Sequence, residues 1–195
     1  MSQSRPARAE QPHVPDPDLD AVRAAQADRA AFAVLYRRYL DRVYGYAFYQ
    51  LGDHHDAEDA TERIFLAALR ALGGFRDQGS TFRAWLFRIA HNTIANAHRS
   101  RARRRTVTLP EGWDRSAPDA DPARLVGRGE ELRELLALIA ELPDDRRHVV
   151  LLRFVDELTS REIGIVLDRS EGAVRVLLHR ALRELAARFA GDRLA

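Results

Sequence analysis

The sequence predicts an all-α protein composed of two small helical domains that a flexible linker joins. Apolar residues recur at spacings of three and four through residues 29–101 and again through 130–189, as on the buried face of a helix. No segment alternates apolar and polar residues between hairpin turns, a pattern that would indicate a strand. Residues 106–129 contain Pro, Gly and Asp without a sustained period, which is typical of a linker.

This pattern divides the chain into four parts. Residues 1–25 are rich in Pro, Asp and Gln and poor in apolar residues, so they are predicted to form a disordered tail. The first helical domain is expected at 26–105, the flexible linker at 106–129 and the second helical domain at 130–190. The length of 195 residues is sufficient for two small domains.

Short polar residues mark where the helices of the first domain begin. Asp53 or Asp56 can cap a helix after the break at LGDH, because a carboxylate accepts a hydrogen bond from the free N–H groups of the first turn. Ser80 or Thr81 can cap the next helix in the same way. The pair Gly73–Gly74 ends the helix between them.

Composition excludes several classes of protein. The chain has no cysteine, so it has no disulfide framework, no thiolate metal site and no Cys nucleophile. Its longest apolar runs, such as VVLLRFV, are too short to cross a bilayer, and the first 20 residues lack the apolar core of a signal peptide. A cytoplasmic protein without membrane insertion is therefore predicted.

The sequence also offers no enzyme site. It contains no P-loop, no GxSxG and no HExxH motif. The run DHHDAED has metal-ligand residue types, but consecutive His54 and His55 point in different directions on a helix and no other group completes a ligand set. We predict no catalytic residues, no cofactor and no metal site.

The segment 81–105, TFRAWLFRIAHNTIANAHRSRARRR, combines seven arginines and two histidines with aromatic rings and contains no acid. Helical spacing gives it one apolar face, which is predicted to be buried: Phe82, Trp85, Leu86, Ile89, Thr93, Ile94 and Ala97. The opposite face carries Arg83, Phe87, Arg88, His91, Asn92, Asn96 and Arg99. Arginine pairs with phosphates, amides bond to base edges and exposed rings stack on bases, so this face favours nucleic-acid binding. The alternative is a solvated amphipathic helix whose basic end lies at the helix C-terminus.

Residues 142–185 predict three short helices that end in a helix-turn-helix. Asp144 can open the first helix, Thr159 or Ser160 can cap the second, and Ser170 can cap the third. The third helix directs its apolar residues inward: Val174, Leu177, Leu178, Ala181 and Leu185. Its outer face is basic, with Arg175, His179, Arg180 and Arg183, as on a recognition helix in the major groove. The alternative is an ordinary three-helix bundle with a charged face.

Four segments, in this order, carry a resemblance to a known family. They are LYRRYLDRVYGYAF, DAEDATERIFLAALRAL, TFRAWLFRIAHNTIANAHRSRARR and LPDDRRHVVLLRFVDELTSREIGIVLDRSEGAVRVLLHRAL. On the basis of these four segments, the chain resembles the extracytoplasmic-function (ECF) type of sigma factor, within the sigma-70 family of bacterial RNA polymerase. The resemblance implies a sigma-2-like domain, a linker and a sigma-4-like domain. It further implies a protein that binds core polymerase and directs promoter-specific initiation.

The resemblance also implies residue roles and partners. Core polymerase would be bound through its β′ clamp helices and β flap, the clamp helices by Asp56, Glu58, Asp59, Glu62 and Phe65. The −10 promoter region would be melted and held by Trp85, Arg88, His91, Asn92, Asn96 and Arg99. The −35 duplex would be recognised by Ser170, Glu171, Arg175, His179 and Arg180. Members of this group are often held inactive by an anti-sigma factor, which is a further implied partner.

Some positions depart from the family pattern. Glu62 and Arg63 stand where the family more often has Gln-Glu, and Val176 and Leu177 occupy positions that are commonly Ser and Arg. The second departure affects the predicted −35 base preference and leaves the docking mode unchanged. The alternative function is a stand-alone helix-turn-helix transcriptional regulator with an unrelated helical N-terminal domain.

Overall fold

The structure is a computed structural model that describes residues 16–77, 80–107, 130–154 and 156–192. Within these ranges the regular elements are all helical, and no strand occurs among them, which confirms the predicted fold class. The α-helices are α1 (Leu19–Ala27), α2 (Phe32–Leu51), α3 (His54–Ala71), α4 (Phe82–Val107), α5 (Glu130–Ala140), α6 (Asp144–Phe154), α7 (Ser160–Leu167) and α8 (Glu171–Asp192). Single 3₁₀ turns lie at Arg29–Ala31 and Leu72–Gly74. Most of the predicted linker and residues 1–15 of the predicted tail lie outside the described residues.

Helix α1 corrects the predicted extent of the disordered tail, because residues 19–25 of that tail are helical. Val22 and Ala25 are buried under the first bundle. Two acids before the helix anchor it: Asp18 accepts hydrogen bonds from Arg38 and Tyr39, and Asp16 accepts one from the Phe82 N–H at 2.5 Å. Asp16 thereby satisfies a free donor at the start of α4, a contact that the sparse apolar residues of this segment do not reveal.

Helices α2, α3 and α4 form the first bundle. Fully buried side chains from all three form its core, among them Leu35, Val43 and Tyr46 of α2, Ile64 of α3, and Phe82, Leu86 and Ile94 of α4. Helix α2 ends at Gly52, whose φ of 72° is left-handed and suits glycine. Asp53 caps α3 through the Asp56 N–H at 2.8 Å, and Thr81 caps α4 through the Ala84 N–H at 3.2 Å. The structure thus selects Asp53 and Thr81 from the two predicted pairs.

Helices α5 to α8 form the second bundle, in which α7 and α8 are the predicted helix-turn-helix. Thr159 caps α7 in a reciprocal capping box with Glu162. The turn that follows contains Asp168 in the left-handed conformation, with a φ of 54°. Gly164 lies against this turn, where a Cβ atom would stand 2.6 Å from the Arg169 carbonyl oxygen. Only glycine leaves room for so close a turn, which fixes the angle at which α8 departs.

The two bundles are packed against each other. Helix α7 lies on α4, while α5 and α6 contact α2. Among the described helices, none is long and apolar enough to cross a membrane. The arrangement places the second bundle over part of the polar side of helix α4, a packing that the sequence did not predict.

Candidate nucleic-acid and partner-binding surfaces

The exposed side of α4 forms a basic stripe. Arg88, Asn92, Asn96 and Arg99 are all exposed and follow one another at spacings of four, four and three residues, which places them on one side of the helix. Arg99 donates a hydrogen bond to Asn96 Oδ1 at 2.7 Å. Cations and amides are therefore available together along about two to three turns of helix.

The aromatic residues of α4 are less available than the sequence suggested. Trp85 is half-buried and packs edge-on against Phe75, with ring centroids 5.3 Å apart. Phe87 was predicted on the polar face, and this placement is wrong: the ring is fully buried and meets Tyr46 of α2 edge-on at 5.6 Å. Helix α4 is buried on more than one side, so a single apolar face does not describe it.

His91 also lies away from the basic stripe in this arrangement. Its ring is 4.7 Å from the ring of His148 in α6, and its Nδ1 atom is 3.4 Å from the hydroxyl of Tyr46. Burial lowers the pKa of His91 below its ordinary value. The side chain is therefore neutral near pH 7 and is partly covered by the second bundle.

Helix α8 presents a second basic surface. Ser170 caps it by accepting a hydrogen bond from the Ala173 N–H at 3.2 Å, and Glu171 forms an ion pair with Arg175 one turn later. Arg175, His179 and Arg180 are exposed. The residues predicted to face inward are buried or partly buried in the core: Val174, Leu177, Leu178, Ala181 and Leu185. The helix-turn-helix is thus formed as predicted, with its basic face open.

A groove between α2 and α3 forms a third surface. It has a volume of about 410 Å³ and is lined by aromatic and aliphatic side chains, including Tyr36, Phe65 and Leu66. Acidic side chains of Asp41, Glu58 and Glu62 also line it. Tyr36 and Leu66 are 40% and 42% exposed, which leaves apolar area uncovered on the surface. A groove of this chemistry suits a helix with an apolar stripe and basic flanks.

The five residues that were predicted to bind polymerase differ in how far they are exposed at the groove. Glu58 and Glu62 are exposed, whereas Asp56 and Asp59 are half-buried. Phe65 is only 5% exposed and packs edge-on against Tyr36, with ring centroids 4.7 Å apart, so it lines the groove rather than projecting from it. Tyr36 and Leu66 were not predicted. The spacing of Tyr36, Leu40 and Tyr44 by four residues was the signal that could have found the α2 wall.

The histidine pair of the DHHD run has other contacts. His54 Nδ1 lies 2.5 Å from the Tyr44 hydroxyl, and its ring stacks on Phe48 at 4.4 Å. Across the described residues, no group of three or more His, Cys, Asp or Glu side chains could hold a metal ion. His54 therefore acts in packing at the turn between α2 and α3.

A helical bundle with a basic stripe, together with a helix-turn-helix in a second bundle, is typical of a DNA-binding protein. Residues 35–104 match sigma-70 region 2, and residues 132–185 match sigma-70 region 4. The chain therefore belongs to the sigma-70 family of RNA polymerase sigma factors. A stand-alone regulator would explain only the second match, so that alternative is not favoured.

Curated relatives place the chain in the extracytoplasmic-function group. It is 37% identical over 175 residues to the ECF sigma factor BldN of Streptomyces coelicolor, covering 89% of this chain and 66% of BldN. It is 35% identical over 174 residues to the ECF sigma factor SigE of Mycolicibacterium smegmatis, covering 87% and 67%. The RNA polymerase sigma-H factor of Pseudomonas aeruginosa is 32% identical over 172 residues, covering 82% and 86%. The chain thus spans about two thirds of the length of BldN and SigE.

Solved structures share the fold over most of the chain. CnrH in complex with the cytosolic domain of CnrY superposes with a TM-score of 0.67 at 26% identity, covering 90% of this chain and 98% of CnrH. RpoE of Bartonella quintana, solved with the anti-sigma factor NepR, gives a TM-score of 0.64 at 19% identity, covering 79% and 93%. The second likeness concerns the fold alone.

Proposed function

We propose that this chain binds core RNA polymerase and directs it to a set of promoters, with α8 recognising the −35 duplex and α4 melting and holding the −10 region. The observation that carries the proposal is the presence of both sigma-70 regions, in order, each presenting an exposed basic helix. Such a protein works where the polymerase does, in the cytoplasm, and bond formation belongs to the polymerase. The domain limits predicted from the sequence, with α1 added to the first domain, are part of this proposal.

Helix α8 would enter the major groove by its leading end. Arg175 can bond bidentately to guanine and Glu171 can accept from cytosine, while their mutual ion pair holds both side chains ready. His179 and Arg180 lie one turn further and would contact phosphates. Ser170, which caps the helix, lies where the helix N-terminus favours a phosphate.

Helix α4 would hold the separated strand. Arg88 and Arg99 would bind its phosphates, and Asn92 and Asn96 would bond to base edges. Trp85 would offer only the part of its ring that Phe75 leaves uncovered. His91 would join this surface after α6 moves away from it, because His148 covers it in the present arrangement.

The groove between α2 and α3 would receive the β′ clamp helices of core polymerase. Its apolar floor provides burial, and Asp41, Glu58 and Glu62 provide complementary charge for a basic helix. The sigma-4-like bundle would contact the β flap. An anti-sigma factor, which the sequence resemblance implies, is proposed as a further partner; the similar chain CnrH is solved in complex with the cytosolic domain of CnrY.

The test is capture of bacterial core RNA polymerase followed by run-off transcription on a genomic fragment library. Capture together with new promoter-specific transcripts is expected. The variant Leu66→Glu, which places a charge in the groove, should weaken capture strongly. Val34→Glu is the matched control, because Val34 is 44% exposed on α2 and does not line the groove. Failure of the wild-type chain to bind core polymerase, with no inhibitor in the preparation, would overturn the proposal.

A further inference from the structure

Glu162 of α7 connects the second bundle to the start of α4. Its carboxylate accepts a hydrogen bond from Thr81 Oγ1 at 2.6 Å, and Nη2 of Arg83 donates to both carboxylate oxygens, at 3.1 Å to Oε1 and 2.9 Å to Oε2. The side chains of Arg83 and Glu162 are 24% and 9% exposed, so water screens this pair only weakly. This is a charge-assisted contact, in which one guanidinium nitrogen bridges both carboxylate oxygens, between residues that lie 79 positions apart in the sequence.

Glu162 also stabilises its own helix. Its carboxylate accepts from the Thr159 N–H at 2.8 Å, which completes the capping box of α7. Burial alone would raise the pKa of Glu162, but the hydrogen bonds from Thr81 and Thr159 and the charge of Arg83 lower the pKa overall. The side chain is therefore ionised at neutral pH, and Arg83 is paired.

A second contact between the bundles lies further along α4. Nδ1 of His148 in α6 lies 2.9 Å from the Tyr46 hydroxyl and 2.7 Å from Gln50 Nε2, both in α2. The ring of His148 also packs against the ring of His91 in α4. The second bundle therefore lies over two residues of the polar face of α4, Arg83 and His91. A nucleic-acid strand cannot follow that part of the face while α6 and α7 occupy it.

The carboxylate on Arg83 resembles the phosphate ligand that the basic stripe of α4 is expected to bind. A carboxylate and a phosphate both offer two oxygens to the planar guanidinium fork, and Arg83 lies on the same acid-free helix as Arg88 and Arg99. Glu162, which belongs to the second bundle, forms the ion pair with Arg83 of α4.

We propose that the contact of α7 with α4 is an autoinhibitory latch, in which Glu162 occupies the place of a DNA phosphate on Arg83, and that Arg83 is a further phosphate-binding residue for the −10 strand once the latch opens. The proposal rests on the proposed sigma-factor function. Binding of the −10 strand and closure of the latch then exclude each other, because each requires the same guanidinium group.

Two substitutions that break the same contact separate a latch from a purely structural ion pair. Glu162→Gln keeps a side chain that the capping box accepts at this position but removes the charge on Arg83. Arg83→Gln also opens the contact but removes the phosphate ligand. Asp145→Asn is the control, because it removes one acid from an exposed position of α6.

The readouts are the distance between the bundles and the affinity for DNA. Since the chain has no cysteine, spin labels can be attached after Arg70→Cys on α3 and Ala187→Cys on α8, both exposed positions. Glu162→Gln and Arg83→Gln should each shift the label distances to longer and broader values. For a single-stranded −10 oligonucleotide, Glu162→Gln should raise the affinity of the free protein roughly five-fold or more, within the usual range of coupling between sites. Arg83→Gln should lower it below that of Glu162→Gln.

Three results would overturn the latch: unchanged label distances in both variants, opening without a gain in DNA affinity for Glu162→Gln, or equal affinities for the two variants. The distance measurement requires neither polymerase nor promoter. Failure of the latch proposal is therefore distinguishable from failure of the proposed function. Transcription directed by the wild-type protein tests the proposed function.

Discussion

Tyr46 and His148 lie 102 residues apart in the sequence, and the Tyr46 hydroxyl is 2.9 Å from His148 Nδ1. Gln50 Nε2 lies 2.7 Å from the same nitrogen. An amide NH₂ group and a hydroxyl can both donate, so this geometry suits a neutral ring whose Nδ1 accepts. Burial first, and then the nearby charges of His91, Arg147 and His98, lower the pKa of His148 to about 3. The contact between the bundles is thus made by an uncharged imidazole.

Acid is expected to weaken this contact. In the unfolded chain His148 has an ordinary pKa near 6.5. Below that pH the unfolded chain therefore binds a proton at His148 that the folded chain does not bind, so the stability of the folded state falls as the pH falls. Between pH 7 and pH 5 this histidine should lower the free energy of unfolding by about 2 kcal/mol. The measurement is urea unfolding of the wild type and His148→Gln at both pH values. A variant that loses as much stability on acidification as the wild type would contradict this assignment.

Asp156, in the turn before α7, should be a destabilising residue at neutral pH. It is fully buried, and neither carboxylate oxygen has a hydrogen-bond partner among the described residues. Burial raises its pKa well above the ordinary value, although Arg42 and Arg83 act in the opposite direction. Asp156→Asn should therefore raise the free energy of unfolding at pH 7 by about 1–3 kcal/mol.

The gain from Asp156→Asn should depend on pH with a defined sign. Because the pKa of Asp156 is raised in the folded state, the cost of its charge grows as the pH rises above about 4 and disappears below it, where folded and unfolded chains both hold the proton. Unfolding curves at pH 4 and pH 7 measure this directly. An equal gain at both values would mean that the charge of Asp156 is not responsible.

Gly164 and Gly45 form a matched pair for testing the turn between α7 and α8. Both are helical. A Cβ atom at Gly164 would lie 2.6 Å from the Arg169 carbonyl oxygen, whereas a Cβ atom at Gly45 would have no neighbouring atom within 4 Å outside its own stretch of helix. Gly164→Ala should therefore destabilise the protein by about 1–3 kcal/mol through overpacking. Gly45→Ala should stabilise it by about 1 kcal/mol through helix propensity. Thermal unfolding of both variants tests this, and the same sign for both would refute the steric account.

Charge reversal on the basic stripe should separate DNA melting from polymerase binding. Arg88→Glu combined with Arg99→Glu should reduce open-complex formation about tenfold or more and leave capture of core polymerase largely intact, since two phosphate contacts become repulsive. The salt dependence of single-strand binding should fall in slope by about 1.4, at ~0.7 per lost phosphate contact. The control is Arg23→Glu with Arg37→Glu, at exposed positions of α1 and α2. Unchanged melting in the first double variant would remove the stripe from the DNA-binding surface.

The helices and their starting points could be predicted from the sequence because both depend on short-range rules. The caps at Asp53, Thr81, Thr159 and Ser170 each lie three residues from the N–H group that they satisfy, and the inward face of α8 follows the helical repeat. Where two residues could cap the same helix, the sequence did not decide between them.

The features that the sequence did not predict depend on long-range contacts. Helix α1 is held by Asp16 and Asp18 through partners 66 and 20 residues away, so its own few apolar residues gave little signal. Phe87 is buried because Tyr46 of α2 lies against it, which a periodicity within α4 cannot show. The packing of the two bundles depends on Thr81 and Glu162, 81 residues apart, and nothing local to either residue indicates the other.

The double use of Glu162 has an evolutionary consequence. A lineage that loses this residue gives up the capping box of α7 together with the contact to α4, so a change there carries a cost in folding. A change at Thr81 gives up the cap of α4, and a change at Arg83 gives up the phosphate ligand that we propose for the −10 strand. Each residue of the contact therefore has a second use, so single changes that open the contact are expected to be rare among descendants of this chain.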